Sequence, residues 1–270
     1  CRLNVATQLE ASPEQIIFTS SGSESNAIAI YSAIFNSQRK KIVCSQLEHT
    51  SVHRTLELLS MKGYDIKMIN TLPSGVIDLD HAESLIDNQT ALVSLQHVNN
   101  ETGVIQPVEE IAQFTEKFNT SFHCDGAQGF GKMDLNVNNL ACDYFTFTAH
   151  KIHGPKGVGG LWVRGNTDEV YPLIPGGSQE SGRRGGTHNL LGIIGLGTAA
   201  KIRYRDLTKT LNYITKLRNT FEEALSKSCP NITINGVDTP RVGNTTNIQF
   251  KGIDGKALFL RLLQENIICS

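Results

Sequence analysis

Two hydrophobic periods alternate along the chain. Short runs rich in β-branched and aromatic residues fall at Gln15–Ser20, Lys41–Ser45, Asp65–Ile69, Ala91–His97, Ser121–Asp125, Tyr144–Thr148 and Gly160–Arg164, and they predict strands. Between several of them, over Glu24–Asn36, Thr50–Lys62, Leu79–Ile86 and Val108–Phe118, apolar positions take helical spacing. This alternation predicts an α/β fold, a mainly parallel sheet covered by helices on both faces, with ligands bound at the carboxyl ends of its strands. After Thr187 the pattern changes. Leu190–Lys227 reads as a long helix broken near Arg205-Asp206, followed by strand-like pieces at Ile232–Ile234 and Asn247–Phe250 and a helix over Gly255–Gln264. A large domain over residues 1–205 and a partial, smaller α+β domain over 206–270 are therefore expected.

Composition narrows the partners rather than the fold. The chain has 270 residues, 39% hydrophobic and 19% charged, with a net charge of −1. That balance gives no electrostatic footprint for nucleic acid or an acidic membrane surface. No apolar run approaches the ~20 residues that span a bilayer, and no secretory leader opens the sequence. Cys1, Cys44, Cys124, Cys142, Cys229 and Cys269 form no CxxC pair and no zinc spacing. They read as reduced thiols of a cytoplasmic protein. The sequence opens on Cys1 and closes on Ile267-Ile268-Cys269-Ser270. Both ends read as cut from a longer protein.

Polar residues collect where the predicted strands end. In IIFTSSGSESNAIAI a strand passes through a glycine turn into a helix, with Ser21 as cap and Glu24 as its capping-box partner. Gly22 and Ser23 would present backbone N–H groups and a hydroxyl at a positive helix end, which suits a phosphate. An ordinary strand-to-helix turn has the same composition, and the GxxxxGK[ST] pattern of a nucleotide loop is absent. In FHCDGAQGFGK, Asp125 is a turn former or helix cap, or else a charge partner for a cationic ring nitrogen, with Gln128 placed for a neighbouring ring oxygen. In LQHVNNETG, Asn99, Asn100 and Glu101 make a turn or bring an amide to a ligand. In QLEHTSVH, His49 and His53 are four apart as a metal pair would be, but Thr50 stands where HExxH needs Glu. The His49 ring serves as a structural histidine or stacks on a flat cofactor.

The run TFTAHKIHGPKGVGG puts Lys151 where a buried-looking strand meets a glycine-rich loop. An exposed lysine fits there. In a cleft, an amine relieved of its proton by burial or nearby cations can form a Schiff base with an aldehyde. Pyridoxal 5′-phosphate (PLP) is such an aldehyde, and an Asp at its pyridinium nitrogen makes the ring an electron sink. The glycines of GPKGVGG let backbone pack close around that amine.

At these residues the chain resembles the cysteine desulfurases, the NifS/IscS-like group of class V, fold-type I PLP enzymes. The resemblance runs through FTSSGSESNAIAI, EHTSVHRTLELL, HVNNETGVIQPVEEIA, FHCDGAQGFGKMDL, TAHKIHGPKGVGGLWVR and GGSQESGRRGGTHN. It implies a seven-stranded sheet and a homodimer. Lys151 then corresponds to the Schiff-base lysine and proton shuttle, Asp125 to the partner of the pyridine nitrogen, and Gln128 and Asn100 to the groups near the ring oxygen. His49 corresponds to the stacking histidine, also placed for proton transfer. Gly22, Ser23, Thr148 and His150 correspond to the phosphate cradle, and Thr187 to a loop reaching the phosphate of the other subunit. The implied reaction converts L-cysteine to L-alanine and passes sulfur through a protein persulfide to acceptors such as an iron–sulfur scaffold or a tRNA-thiolation relay.

The chain departs from the family pattern in several places. The family's catalytic cysteine would fall a few residues after Ser270, with Cys269 upstream of it, and the arginine for the substrate carboxylate later still. An Asp-x-x-Ala-Thr-Thr-like motif is missing before Cys1. Gly22-Ser23 replaces a small residue followed by Thr, and Gly126 replaces Ala or Ser. A selenocysteine lyase or another class V PLP lyase is the nearest alternative, and a non-catalytic PLP-binding scaffold for sulfur-transfer partners is the alternative of another kind.

Overall fold

The computed structural model describes residues 1–165 and 167–270. Seven strands, β1 (Ile16–Thr19), β2 (Lys41–Ser45), β3 (Asp65–Ile69), β4 (Thr90–Gln96), β5 (Ser121–Asp125), β6 (Tyr144–Thr148) and β7 (Gly159–Val163), form one sheet in the order β1-β7-β6-β5-β4-β2-β3. β7 pairs antiparallel with β1 and β6, and every other pairing is parallel. All residues of β1, β4, β6 and β7 are buried. Hence these segments read as unbroken apolar or small-residue runs. The edge strand β3 is mostly exposed and carries Asp65 and Lys67, which discourages further pairing.

Successive side chains of one strand feed two separate cores, as the two-residue period requires. On one face, Val43, Val93, Leu95, Phe122, Phe145 and Trp162 pack against α1 (Arg2–Leu9), α5 (Val108–Lys117) and the start of α6 (Leu190–Ser228). On the other, Ile42, Cys44, Leu92 and Leu161 pack against α2 (Gly22–Phe35) and α3 (Thr50–Ser60). α2 lies over the sheet and buries Ile28, Ala29, Ile30, Ala33 and Ile34. A short α4 (Leu79–Leu85) starts at Asp78, whose carboxylate accepts from His81 N at 3.0 Å.

α1 was not expected from the hydrophobic pattern. Its N-cap, Cys1, makes no side-chain cap bond, and it ends on Glu10 at φ 52, a position glycine usually takes. It is held by tertiary contacts instead, including Asn4 Nδ2 donating to Gly197 O at 3.0 Å. α6 also differs from expectation. It spans 39 residues through Arg205-Asp206 with no break, for no Gly or Pro interrupts it there. The glycines it does contain sit earlier, where neighbours approach: a Cβ on Gly197 would lie 2.6 Å from Cys1 Cα, and one on Gly195 2.3 Å from Pro155 Cγ. The expected boundary near 205 therefore falls inside a continuous helix.

Beyond α6, β8 (Ile232–Ile234) and β9 (Ile248–Phe250) form an antiparallel pair, followed by α7 (Gly255–Gln264). The segment between those strands returns to the large sheet's loops. Ile105 N donates to Pro240 O, and Val242 N to Gly103 O, both at 2.9 Å. Arg241 grips Glu222 of α6 with two bonds of 2.8 and 2.9 Å. Among the described residues no helix is long and apolar enough to cross a membrane.

Candidate active site

The turns after β1, β2, β4, β5 and β6 surround one cavity of ≈ 210 Å³. Of the candidate residues read from the sequence, Gly22, Ser23, His49, Asn100, Asp125, Gln128, Thr148, His150 and Lys151 line it. Thr187 does not; it is exposed, on the loop before α6. A larger cavity of ≈ 570 Å³ beside Arg2, Glu180 and His188 is lined by none of these residues.

Each side chain is placed by the end of a strand. Ser21 caps α2, its hydroxyl accepting from Glu24 N at 3.2 Å. The N–H groups of Gly22 and Ser23 belong to the first turn, where a helix has no internal acceptors for them. Glu24 does not close the expected capping box: its carboxylate accepts from Ser20 N at 2.8 Å and from Arg184 Nε at 2.8 Å. Burial pushes that carboxyl up, but the bonds from Arg184 and Ser20 outweigh it and hold it below the ordinary value. The pair ties the loop carrying Thr187 to the α2 turn. β7 passes so close behind this turn that a Cβ on Gly159 would lie 2.7 Å from the Ser21 carbonyl carbon. Gly126 likewise has a physical cause, since a Cβ there would fall 1.8 Å from Phe145 Cζ.

Asp125 is 6% exposed. Its Oδ2 accepts from Asn26 Nδ2 at 2.8 Å and its Oδ1 from Ala127 N at 3.0 Å. Burial raises its pKa in spite of those bonds and the nearby charges of His49 and Lys151. The other hydrogen of Asn26 Nδ2 goes to Ser51 Oγ at 2.9 Å. Ser51 in turn meets His49 Nδ1 with its hydroxyl at 2.8 Å and its backbone N–H at 3.1 Å. Both are donors, so Nδ1 is the acceptor and the neutral ring carries its proton on Nε2. A continuous chain of bonds therefore links Asp125 to the histidine through Asn26 and Ser51. Sequence reasoning missed Asn26. The available signal was its spacing, four residues from Gly22 and so on the same helix face.

On β6, the Thr148 hydroxyl meets His150 Nδ1 at 3.0 Å. His150 and Lys151 stand on a single 3-10 turn, with Lys151 half-buried at the cavity wall. Burial, and the charges of Lys151, Lys156 and Lys132, lower the pKa of His150.

Two further carboxylates yield stability predictions. Arg184→Met strips the partner from Glu24, which is 9% exposed, and should cost about 2–3 kcal/mol at pH 7. Because the folded pKa of Glu24 is depressed, the pair's contribution is present above the ordinary 4.5 and lost as pH falls through the folded value. Unfolding midpoints of variant and wild type should therefore converge in acid. Glu48 behaves oppositely. Its Oε1 accepts from Ser45 Oγ at 2.7 Å and Gln96 N at 2.8 Å, while its buried Oε2 has no partner. Burial, with the Asp125 charge adding and those two bonds opposing, pushes its pKa up to about 8. Stability should then fall as pH rises from about 4.5 to about 8. Glu48→Gln should remove that slope and gain about 2 kcal/mol at pH 8, the amide nitrogen inheriting the missing partner of Oε2. Urea unfolding at pH 5.5 and pH 8 measures it; an unchanged slope would rule out Glu48 as its source.

A sheet with one antiparallel strand, a helix N-terminus at its rim and a lysine–aspartate–histidine cavity at its strand ends define a class. The chain belongs to the aminotransferase class-V family, whose model matches residues 1–270. Within that family it stands with the cysteine desulfurases. It is 39% identical over all 270 residues to a cysteine desulfurase of Nostoc sp., of which it spans 67%. A solved NifS-like protein superposes over 100% of this chain and 74% of its own, with a TM-score of 0.93 and 36% identity. A structure of SspA in complex with cysteine covers 98% of this chain and 73% of its own, with a TM-score of 0.83 and 32% identity. The fold is thus that of the NifS-like, fold-type I enzymes.

Proposed function

We propose that the protein is a PLP-dependent cysteine desulfurase that converts L-cysteine to L-alanine and hands the sulfur to an acceptor protein, such as an iron–sulfur scaffold or a tRNA-thiolation relay. The observation that carries this reading is the convergence of Lys151, Asp125, His49 and the α2 N-terminus on one cavity. The residues fit the cofactor. Asp125 is a buried acid whose ionised form is disfavoured until a cation lies against it, and the first-turn N–H groups of Gly22 and Ser23 suit a phosphate.

When bound, the aldehyde captures amines and its ring accepts the electrons released at a substrate carbon. Gly22 and Ser23 would hold the phosphate, helped by Thr148 and His150. Asp125 would meet the ring nitrogen, and Gln128 and Asn100 the ring oxygen. His49 would lie over the ring, with Nε2 left free to exchange a proton because Nδ1 is taken by Ser51. Lys151 Nζ would hold the cofactor at rest and carry a proton during turnover.

Cys44, Cys124 and Cys142 are buried and their thiols are pushed up by that burial. No cysteine lines the cavity among the described residues. The family resemblance places the sulfur-accepting thiol on a cysteine a few residues after Ser270, and this reading adopts that position. The same reading proposes a cytoplasmic homodimer in which the Thr187 loop reaches the cavity of the second subunit, with residues 206–270 contributing to a smaller domain. The test is to incubate the full-length protein with PLP, L-cysteine and a reductant and to measure alanine and sulfide. Bound PLP without turnover would instead favour the non-catalytic scaffold.

A further inference from the structure

Gln128 and Lys132 share the turn that follows β5. Gly129 N and Phe130 N donate to Gly126 O at 2.9 and 2.8 Å, and Lys132 N donates to Gly129 O at 3.0 Å. Gly131 takes a φ of +65°, and a Cβ there would meet Ile152 Cγ2 at 2.8 Å. The turn is thus packed against the Lys151 segment and directs the side chain of residue 132 inward. Lys132 is 7% exposed. Its ammonium donates to Gln128 Oε1. Among the described residues no carboxylate forms an ion pair with it. Burial, with the charges of Lys151 and Arg203 adding, brings its pKa down to about 8.

An unpaired buried cation weakens a fold. An aliphatic side chain would fill the same space without that penalty, so the ammonium is better explained by what it does to Gln128. A carboxamide has two unlike ends, an oxygen that accepts and a nitrogen that donates. An ammonium can only donate. Lys132 therefore holds Oε1 toward itself and leaves Nε2 for the cavity that Gln128 lines. We infer that Lys132 is a positioning residue that fixes the Gln128 amide as a hydrogen-bond donor toward the ring oxygen of bound PLP. The inference rests on the PLP reading above and deepens it. Without the ammonium the amide is free to flip, and one of its two orientations sets a carbonyl oxygen against the ring oxygen.

The test compares PLP with 3-deoxypyridoxal 5′-phosphate, which lacks that oxygen, by titrating each into the purified apo-protein. Lys132→Met should weaken PLP binding about two- to tenfold, between the cost of selecting one of two amide orientations and that of one net hydrogen bond, and leave the deoxy analogue unchanged. Lys132→Arg should retain most of the PLP affinity. Gln128→Met, which removes the amide and with it the donor, should weaken PLP at least as much and spare the deoxy analogue, and the double variant should lose no more than Gln128→Met alone. It carries the test if Lys132→Met does not fold. The thermal midpoint of the apo-protein should hold or rise in Lys132→Met. Wild-type PLP affinity in that variant, equal weakening of both ligands, or a lowered midpoint accompanying the loss would each overturn the inference while leaving the PLP reading in place. A wild-type protein that binds neither ligand would overturn both.

Discussion

Lys151→Ala is expected to lower L-cysteine turnover by about 10³-fold or more, the scale at which a lost nucleophile and proton carrier act together. The fold should survive. Lys151 is half-buried on a single 3-10 turn, and that turn is built by backbone bonds that do not need its side chain: Ile152 N donates to Ala149 O at 3.0 Å and Gly154 N to the same oxygen at 2.9 Å. The variant should therefore match the wild-type far-ultraviolet circular dichroism and unfold within about 1 kcal/mol of it. The visible absorbance that PLP acquires on the protein should vanish. A chemical mapping separates this lysine from its neighbours. Borohydride reduction of the PLP-loaded wild type should leave the cofactor on the peptide containing Lys151. Label on Lys132 or Lys156 instead, or retained turnover in the alanine variant, would refute the role given to Lys151.

The sheet was legible because its strands, the exposed edge strand β3 apart, are buried nearly throughout, so each stands out as a short β-branched or aromatic run between helical stretches. The β2, β3, β5 and β6 segments end where the pattern placed them. α1 was not legible, since neither its cap nor its left-handed end uses the residues that mark helix termini. What holds it, Arg2 to Glu180 at 2.8 Å and Asn4 to Gly197, joins residues far apart in sequence. The cavity followed the same rule. Residues at strand tips were found because the turn composition exposed them. Asn26, Lys132 and Arg184 were missed because each acts through another side chain: Asn26 on Asp125 and Ser51, Lys132 on Gln128, Arg184 on Glu24. Such roles exist only in three dimensions. One local signal was overread: Ser21 and Glu24 have capping-box spacing, yet Arg184 draws the Glu24 carboxylate away from the cap.

Asp125→Asn should separate catalysis from stability. If the carboxylate keeps the ring nitrogen of PLP protonated, its loss should reduce turnover by about 10²–10³-fold, a typical consequence of removing one preorganised electrostatic group. PLP should still bind, because the phosphate contacts come from other turns and the ring-oxygen contacts from other side chains. The apo-protein should respond in the opposite sense. The folded pKa of Asp125 is raised by burial, so the ionised group works against the fold, and its contribution is lost as pH rises from the ordinary 3.8 through the folded value. The amide removes that charge but has one oxygen for two donors, Ala127 N and Asn26 Nδ2. At neutral pH these terms offset, and the variant should unfold near the wild-type midpoint. In acid, where Asp125 is already protonated, only the lost acceptor remains and the variant should be weaker by about 1–2 kcal/mol. Turnover within a few-fold of wild type would return Asp125 to the part of a turn former. A large loss of stability at neutral pH would show the same, since a turn-forming carboxylate matters to the fold and a cofactor partner matters to the reaction.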